Sequence, residues 1–176
     1  MHWISPSFWL PLGAIGLITL LVSEWRTFRP GIIAGKLAAS TAFVTFALWT
    51  GADGALETAV GQWMLTGFLL CWLGDVLLLP PGQTIWFRLG IGAFLLGHVA
   101  YATAFRSAGL DTLIFGVSLA GIALGSLRVL RWLRPHRPAE FAIPILCYVS
   151  VISVMLAAAI AATANGATPL IAAGAI

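Results

Sequence analysis

The chain has 176 residues, of which 60% are hydrophobic and 9% charged, with a net charge of +3. Soluble domains carry roughly 25% charged residues, so these charges cannot cover a water-facing surface, and the mean hydropathy of +1.00 agrees. The small positive balance does not point to nucleic acid, because the basic residues sit in short connections between apolar runs, where they report orientation in a bilayer.

At ~20 residues per crossing, the length allows a single transmembrane domain, residues 1–176, of six or seven spans. The expected fold class is all-α, a polytopic transmembrane helix bundle. The first apolar run, Phe8 to Val22, has only His2 before it. It lacks the basic region of a cleavable signal and reads as a retained span. Spans are placed near 7–23, 32–50, 60–79, 88–106, 111–128 and 140–163, with a seventh beginning near 168. The punctuation is Glu24 through Pro30, Gly51 through Gly54, Pro80-Pro81-Gly82, Ser107 to Asp111, Arg128 to Arg137 and Asn165-Gly166. Helices rather than strands follow from these run lengths and from the need to satisfy backbone polar groups within lipid. Cys71 and Cys147 fall inside apolar stretches and read as small packing residues.

Basic connections alternate with neutral or acidic ones. Arg26 and Arg29 follow span one, Asp53 and Glu57 follow span two, Arg88 borders the third connection, and Arg128, Arg131, Arg134 and Arg137 crowd the fifth. The positive-inside rule then puts the N-terminus outside and connections one, three and five in the cytoplasm. A bacterial inner membrane is the expected location. Thr168 to Ile176 is apolar but too short to cross a ~30 Å core, so the chain is expected to be cut within a span.

Ionisable groups inside spans are the informative residues, since an unpaired charge in hydrocarbon costs at least ~2.5–3.5 kcal/mol. Lys36, Asp75 and His98 qualify. Lys36 and Asp75 lie at similar depth from the same face of the membrane, and opposite charges at matching depth invite a pair. Lys36 could instead snorkel to the interface, whereas Asp75 is too short to do so. Tyr101 follows His98 by one turn, which suits an interhelical hydrogen-bond clamp. Gly90, Gly92 and Gly97 would let a neighbouring helix or a lipid approach closely. Ser40 and Thr41, one turn after Lys36, either share its cavity or bond their own backbone. Tyr148 lies four residues after Pro144, which is expected to loosen the helix ladder there. No Gly-x-Ser-x-Gly elbow, Cys-x-x-Cys or phosphate-binding glycine loop occurs, and no residue cluster suggests a metal or other cofactor. A Ser40–His98–Asp75 triad has no support in the spacing.

At these residues the chain resembles the YhhN-like family of membrane proteins, whose characterised members are lysoplasmalogenases. The matching stretches are Lys36-Leu-Ala-Ala-Ser-Thr-Ala-Phe43, Cys71-Trp-Leu-Gly-Asp-Val-Leu-Leu-Leu79, Phe87 through Gly90, and Phe94-Leu-Leu-Gly-His-Val-Ala-Tyr-Ala-Thr-Ala-Phe105. A weaker match is Pro144-Ile-Leu-Cys-Tyr148 with Met155. Leu37 stands where the family often has proline. Family members also continue with a late span that carries a second intramembrane aspartate, expected here beyond Ile176.

The resemblance implies hydrolysis of the vinyl ether of a lysophospholipid-type substrate, giving a fatty aldehyde and a glycerophospho-alcohol. Such hydrolysis begins with proton transfer to the enol ether carbon, and water captures the resulting oxocarbenium ion. Asp75 is then expected as one member of an acid/base pair. His98 is the second expected catalytic residue, orienting substrate or water together with Tyr101, and Lys36 would hold the phosphate or tune Asp75. Ser40 and Tyr148 complete the expected substrate-binding set. The alternatives are a non-catalytic lipid-binding or transport protein, with the polar residues as a relay or filter, and a structural subunit in which they act as interhelical glue.

Overall fold

The computed structural model describes residues 6–51, 54–82, 85–136 and 141–168. Among them six α-helices follow one another: α1 (Pro6–Trp25), α2 (Arg29–Gly51), α3 (Ala59–Leu77), α4 (Ile85–Ser107), α5 (Thr112–Leu133) and α6 (Ala142–Ala164). Short 3-10 turns occur at Ala55–Glu57 and Arg134–His136, and no strand occurs among the described residues. Five helices, α2 to α6, are long and apolar enough to cross a membrane, while the apolar segment Trp9–Trp25 of α1 is shorter. The chain is a multi-pass membrane protein. The seventh span expected from residue 168 lies outside the described residues.

The helices form two compact units, Met1–Gly97 and His98–Ile176, with the border inside α4. In the first unit α1 and α2 pack antiparallel through small residues. A methyl group on Gly35 would sit 2.5 Å from the Leu20 nitrogen, and one on Gly16 would sit 2.7 Å from the Ala39 nitrogen. Backbone meets backbone at these positions, the contact that glycine permits in lipid. The turn between α1 and α2 is closed by Phe28 N–H donating to the Ser23 carbonyl at 2.8 Å and Thr27 N–H to the Glu24 carbonyl at 3.1 Å. This is a Schellman cap, and its left-handed position holds Thr27 at φ 53° where glycine is usual.

Three contacts set the register of α2 against α3: Phe43 with Phe68, Thr41 with Trp72 and Lys36 with Asp75. Numbers rise in α2 as they fall in α3, so the helices run antiparallel and each rung fixes the next. Thr58 caps α3, its hydroxyl oxygen accepting from Gly61 N–H at 3.0 Å. Between α3 and α4, Gly90 and Gly97 are filled from across the interface, by Leu78 and by the Cys71 sulfur. Gly92 meets no neighbour within 4 Å, so close approach of a helix is seen at Gly90 and Gly97.

In the second unit α5 packs on α6. Asp111 caps α5 through its carboxylate, which accepts from Ile114 N–H at 2.9 Å, and its own N–H donates to the Ala161 carbonyl at 3.3 Å. Ala157, Ala158, Ala159, Ala161 and Ala162 make the second half of α6 a buried ridge of small side chains. Two expectations change here. Pro144 falls in the first turn of α6, where the N–H it lacks would have no intrahelical partner, so it costs no ladder bond. The basic stretch after span five does not begin as a loop, because α5 runs on to Leu133 and includes Arg128 and Arg131. Arginine is a good helix former whose stem lies along apolar surface while its head reaches polar solvent.

Candidate functional site

Lys36 lies about two turns into α2, and Asp75 sits in the last turn of α3. Because α3 ends early, in the turn Leu78 to Gly82, the two side chains come level. Lys36 Nζ stands 3.2 Å from Asp75 Oδ1, and each side chain is 24% exposed. The structure thus favours pairing over snorkelling for Lys36. An isolated carboxylate among apolar helices has no compensation, and the ammonium supplies it. An ammonium has three donors, so one contact to Oδ1 leaves capacity for a second anion.

Ser40 does not turn toward this pair. Its hydroxyl donates to the Lys36 carbonyl at 2.9 Å, the back-bonded arrangement of serine in apolar helices. Thr41 takes the outward position instead and accepts from Trp72 Nε1 at 3.0 Å. An indole N–H in an apolar setting requires such a partner, and the bond clamps α2 to α3 one turn from the ion pair. Sequence reasoning passed over Trp72. The signal was available, since Trp72 precedes Asp75 by one turn on the same helix face.

A wide-mouthed cavity of about 620 Å³ opens at the same end of the first unit. Glu24, Arg29, Lys36, Leu79, Pro80 and Phe87 are among its lining residues. Arg29 Nη2 donates to the Leu79 carbonyl at 3.3 Å, which ties the start of α2 to the connection after α3. Glu24 and Arg29 are exposed, and spacing alone marked both as loop charges.

His98, Tyr101 and Tyr148 lie in the second unit. The His98 ring meets Tyr148 edge-on at a centroid distance of 5.3 Å and Tyr101 at 6.1 Å. Tyr101 was expected beside His98 from helical spacing. Tyr148 comes from α6, fifty positions along the chain, and joins the same cluster. This is a half-buried polar aromatic group between apolar helices.

No curated protein and no solved structure matches the chain. A family model described as the YhhN family matches residues 32–176. That range contains Lys36, Ser40, Asp75, His98, Tyr101 and Tyr148, and begins after Glu24 and Arg29. With most of its length covered, including the ion pair and the histidine cluster, the chain belongs to the YhhN family.

Proposed function

We propose that this protein is a membrane-embedded hydrolase that cleaves the vinyl ether of lysoplasmalogens to a fatty aldehyde and a glycerophospho-alcohol. The observation that carries the reading is the Lys36–Asp75 pair at 3.2 Å between apolar helices, within a chain of this family. The pair offers one carboxyl group able to carry a proton, held in place by the ammonium beside it.

The chemistry follows from that proton. In its acid form Asp75 delivers it to the enol ether carbon distal to oxygen, and positive charge develops on the carbon bearing oxygen. A carboxylate beside this oxocarbenium ion stabilises it and then accepts a proton from the water that attacks it. The hemiacetal so formed collapses, passing its hydroxyl proton to the departing glycerol oxygen. One proton has gone to carbon and one has returned from water, so the pair ends as it began. Lys36 keeps the carboxylate oriented throughout. The family resemblance suggests an orienting role for His98 and Tyr101 and substrate binding for Tyr148. The basic connections favour an N-terminus outside and the Lys36 end in the cytoplasm.

The test uses purified protein, a lysoplasmalogen and the saturated ether analogue. Aldehyde is expected from the first alone. Asp75→Asn, which cannot carry the proton, should lower the rate by ~10²–10⁴-fold while the protein still inserts and elutes as the parent does. Undiminished aldehyde release by Asp75→Asn would remove this residue from the mechanism, and no release by the parent protein would remove the hydrolase reading.

A further inference from the structure

The end of α5 carries charges that neither the ion pair nor the histidine cluster uses. From Thr112 to Leu127 the helix has no ionisable residue. Arg128, Arg131 and Arg134 follow, the first two inside α5 and the third closing it. With the Asp111 cap at one boundary of a ~30 Å hydrocarbon core, the three straddle the other boundary. Arg128 lies about 5 Å inside it, Arg131 at it and Arg134 about 5 Å beyond. All three are exposed, and none has an ion pair or a side-chain hydrogen bond among the described residues. Each three-residue step turns the helix back by about 60°. The arginines therefore share one side of α5, where each guanidinium repels the next. Trp132, one turn after Arg128, is 70% exposed. Its indole lies against the His136 ring at a centroid distance of 5.7 Å, and an indole at the end of a span suits headgroup level.

We propose that this side of α5 is a binding site for an anionic diacyl phospholipid of the surrounding bilayer, one whose phosphate charge no amine neutralises. Depth favours lipid over an acidic protein segment. A guanidinium at the core boundary lays its stem along hydrocarbon and reaches phosphate oxygens directly, whereas a soluble partner would have to displace the headgroup layer to meet Arg128. Charge favours an anionic headgroup, because the cations lack a carboxylate partner and the amine of a zwitterionic lipid cancels most of the attraction. The planar fork of each guanidinium takes two oxygens of one phosphate. A phosphate between Arg128 and Arg131 also relieves their mutual repulsion. Val117, Leu124 and Leu127 are exposed on the preceding turns of the same side, and the acyl chains lie along them. Orientation in the membrane needs only a count of cations near the end of a span. Contact with phosphate needs them at this depth and on one side, as they are here. The site is independent of the proposed hydrolase activity and lies at the far end of α5 from its Asp111 cap.

The test measures lipid preference on the purified full chain, so that insertion is complete before any comparison. The protein is equilibrated with detergent micelles holding equal amounts of phosphatidylglycerol and phosphatidylcholine with the same acyl chains. Retained lipid is then counted by native mass spectrometry. The parent should retain phosphatidylglycerol, each arginine contributing about fivefold to the preference. Arg131→Gln should lower the ratio by about that factor. Arg128→Gln, Arg131→Gln and Arg134→Gln together should bring the two lipids close to parity, and lysine at the same three positions should restore much of the preference. Arg106→Gln, which removes the cation from the last turn of α4, should leave the ratio of the parent. Because the ratio is taken within one variant, a general loss of folded protein does not move it. Equal retention of the two lipids by the parent overturns the proposal, as does a preference that survives the triple glutamine substitution. A loss with Arg106→Gln as large as with Arg131→Gln also overturns it, since the preference would then follow net charge alone. Displacement of the lipid by inorganic phosphate at equal concentration would show an anion site without lipid selectivity, and the proposal would fall.

Discussion

Replacing Gly35 with alanine should destabilise the first unit, whereas the same change at Gly92 should not. Both glycines lie inside apolar helices, so composition and propensity treat them alike. Alanine in a helix interior is worth about 1 kcal/mol over glycine, which favours both substitutions. The surroundings differ. A methyl at Gly35 would lie 2.5 Å from the Leu20 nitrogen, 2.8 Å from the Leu20 Cα and 2.8 Å from the Gly16 carbonyl oxygen. All three are backbone atoms, so no rotamer change relieves the contact and α1 must move away from α2. Overpacking costs ~1–3 kcal/mol and lies in the upper part of that range, ~2–3 kcal/mol, where the neighbour is rigid backbone, so subtracting about 1 kcal/mol of propensity leaves a net loss of about 1–2 kcal/mol. For a chain of this size each kcal/mol shifts the midpoint by ~2–4 °C, which gives a fall of roughly 2–8 °C. At Gly92 nothing lies within 4 Å, and the midpoint should hold or rise. Thermal unfolding in a mild detergent, followed by near-UV circular dichroism, measures both. Equal midpoints for Gly35→Ala and Gly92→Ala would refute the backbone-to-backbone packing of α1 on α2.

Two further outcomes concern single contacts. Ser126 Oγ and Ser153 Oγ stand 3.1 Å apart between α5 and α6, so a double-mutant cycle with alanine should give a coupling near 0.6 kcal/mol, typical of such bonds between membrane helices; zero coupling in the same unfolding assay would show that Ser153 is satisfied by its other bond, to the Val149 carbonyl. Thr27→Gly should raise the midpoint, since a β-branched residue held at φ 53° stores ~1–3 kcal/mol of strain and glycine removes it; a lower midpoint would mean that the Thr27 hydroxyl bond to the Arg26 carbonyl outweighs the strain.

The pattern of apolar runs anticipated α1 to α6 closely, because a span needs about 20 apolar residues and the punctuation between runs consists of charges, glycine and proline. The Lys36–Asp75 pair was also legible. Two opposite charges in oil have few partners to choose from, so depth alone nearly determines the match. What stayed hidden was direction around each helix. Ser40 and Thr41 are adjacent in sequence, yet one bonds its own backbone and the other receives Trp72, and which does which depends on the rotation of α2 against α3. Gly90, Gly92 and Gly97 look equivalent as letters, but only two of them face α3. Tyr148 could not be linked to His98 because their meeting depends on how α6 lies beside α4. The position of Glu24 was hidden for a different reason: a charge in a short connection has an ordinary reading as a loop residue, and only the structure shows that it lines one cavity with Arg29 and Lys36.

The distribution of polarity in the first unit bears on the proposed lipid substrate. Moving from the α1–α2 turn along α2, the residues change from exposed Glu24 and Arg29, through the part-buried Lys36–Asp75 pair, to the apolar rung of Phe43 and Phe68. A lysoplasmalogen has the same gradient: charged headgroup, then glycerol and vinyl ether, then hydrocarbon. If each part occupies the zone of matching polarity, the vinyl ether falls beside the ion pair without any contact dedicated to the chain. Binding energy from the headgroup and from the hydrocarbon then positions the reacting bond, which is how remote contacts lower a barrier. A soluble phosphodiester lacks the chain and a fatty alcohol lacks the headgroup, so neither would be held at the pair in this way. Under the proposed hydrolase reading, the boundary position of Lys36 and Asp75 would thus suit an amphiphile rather than either of its halves.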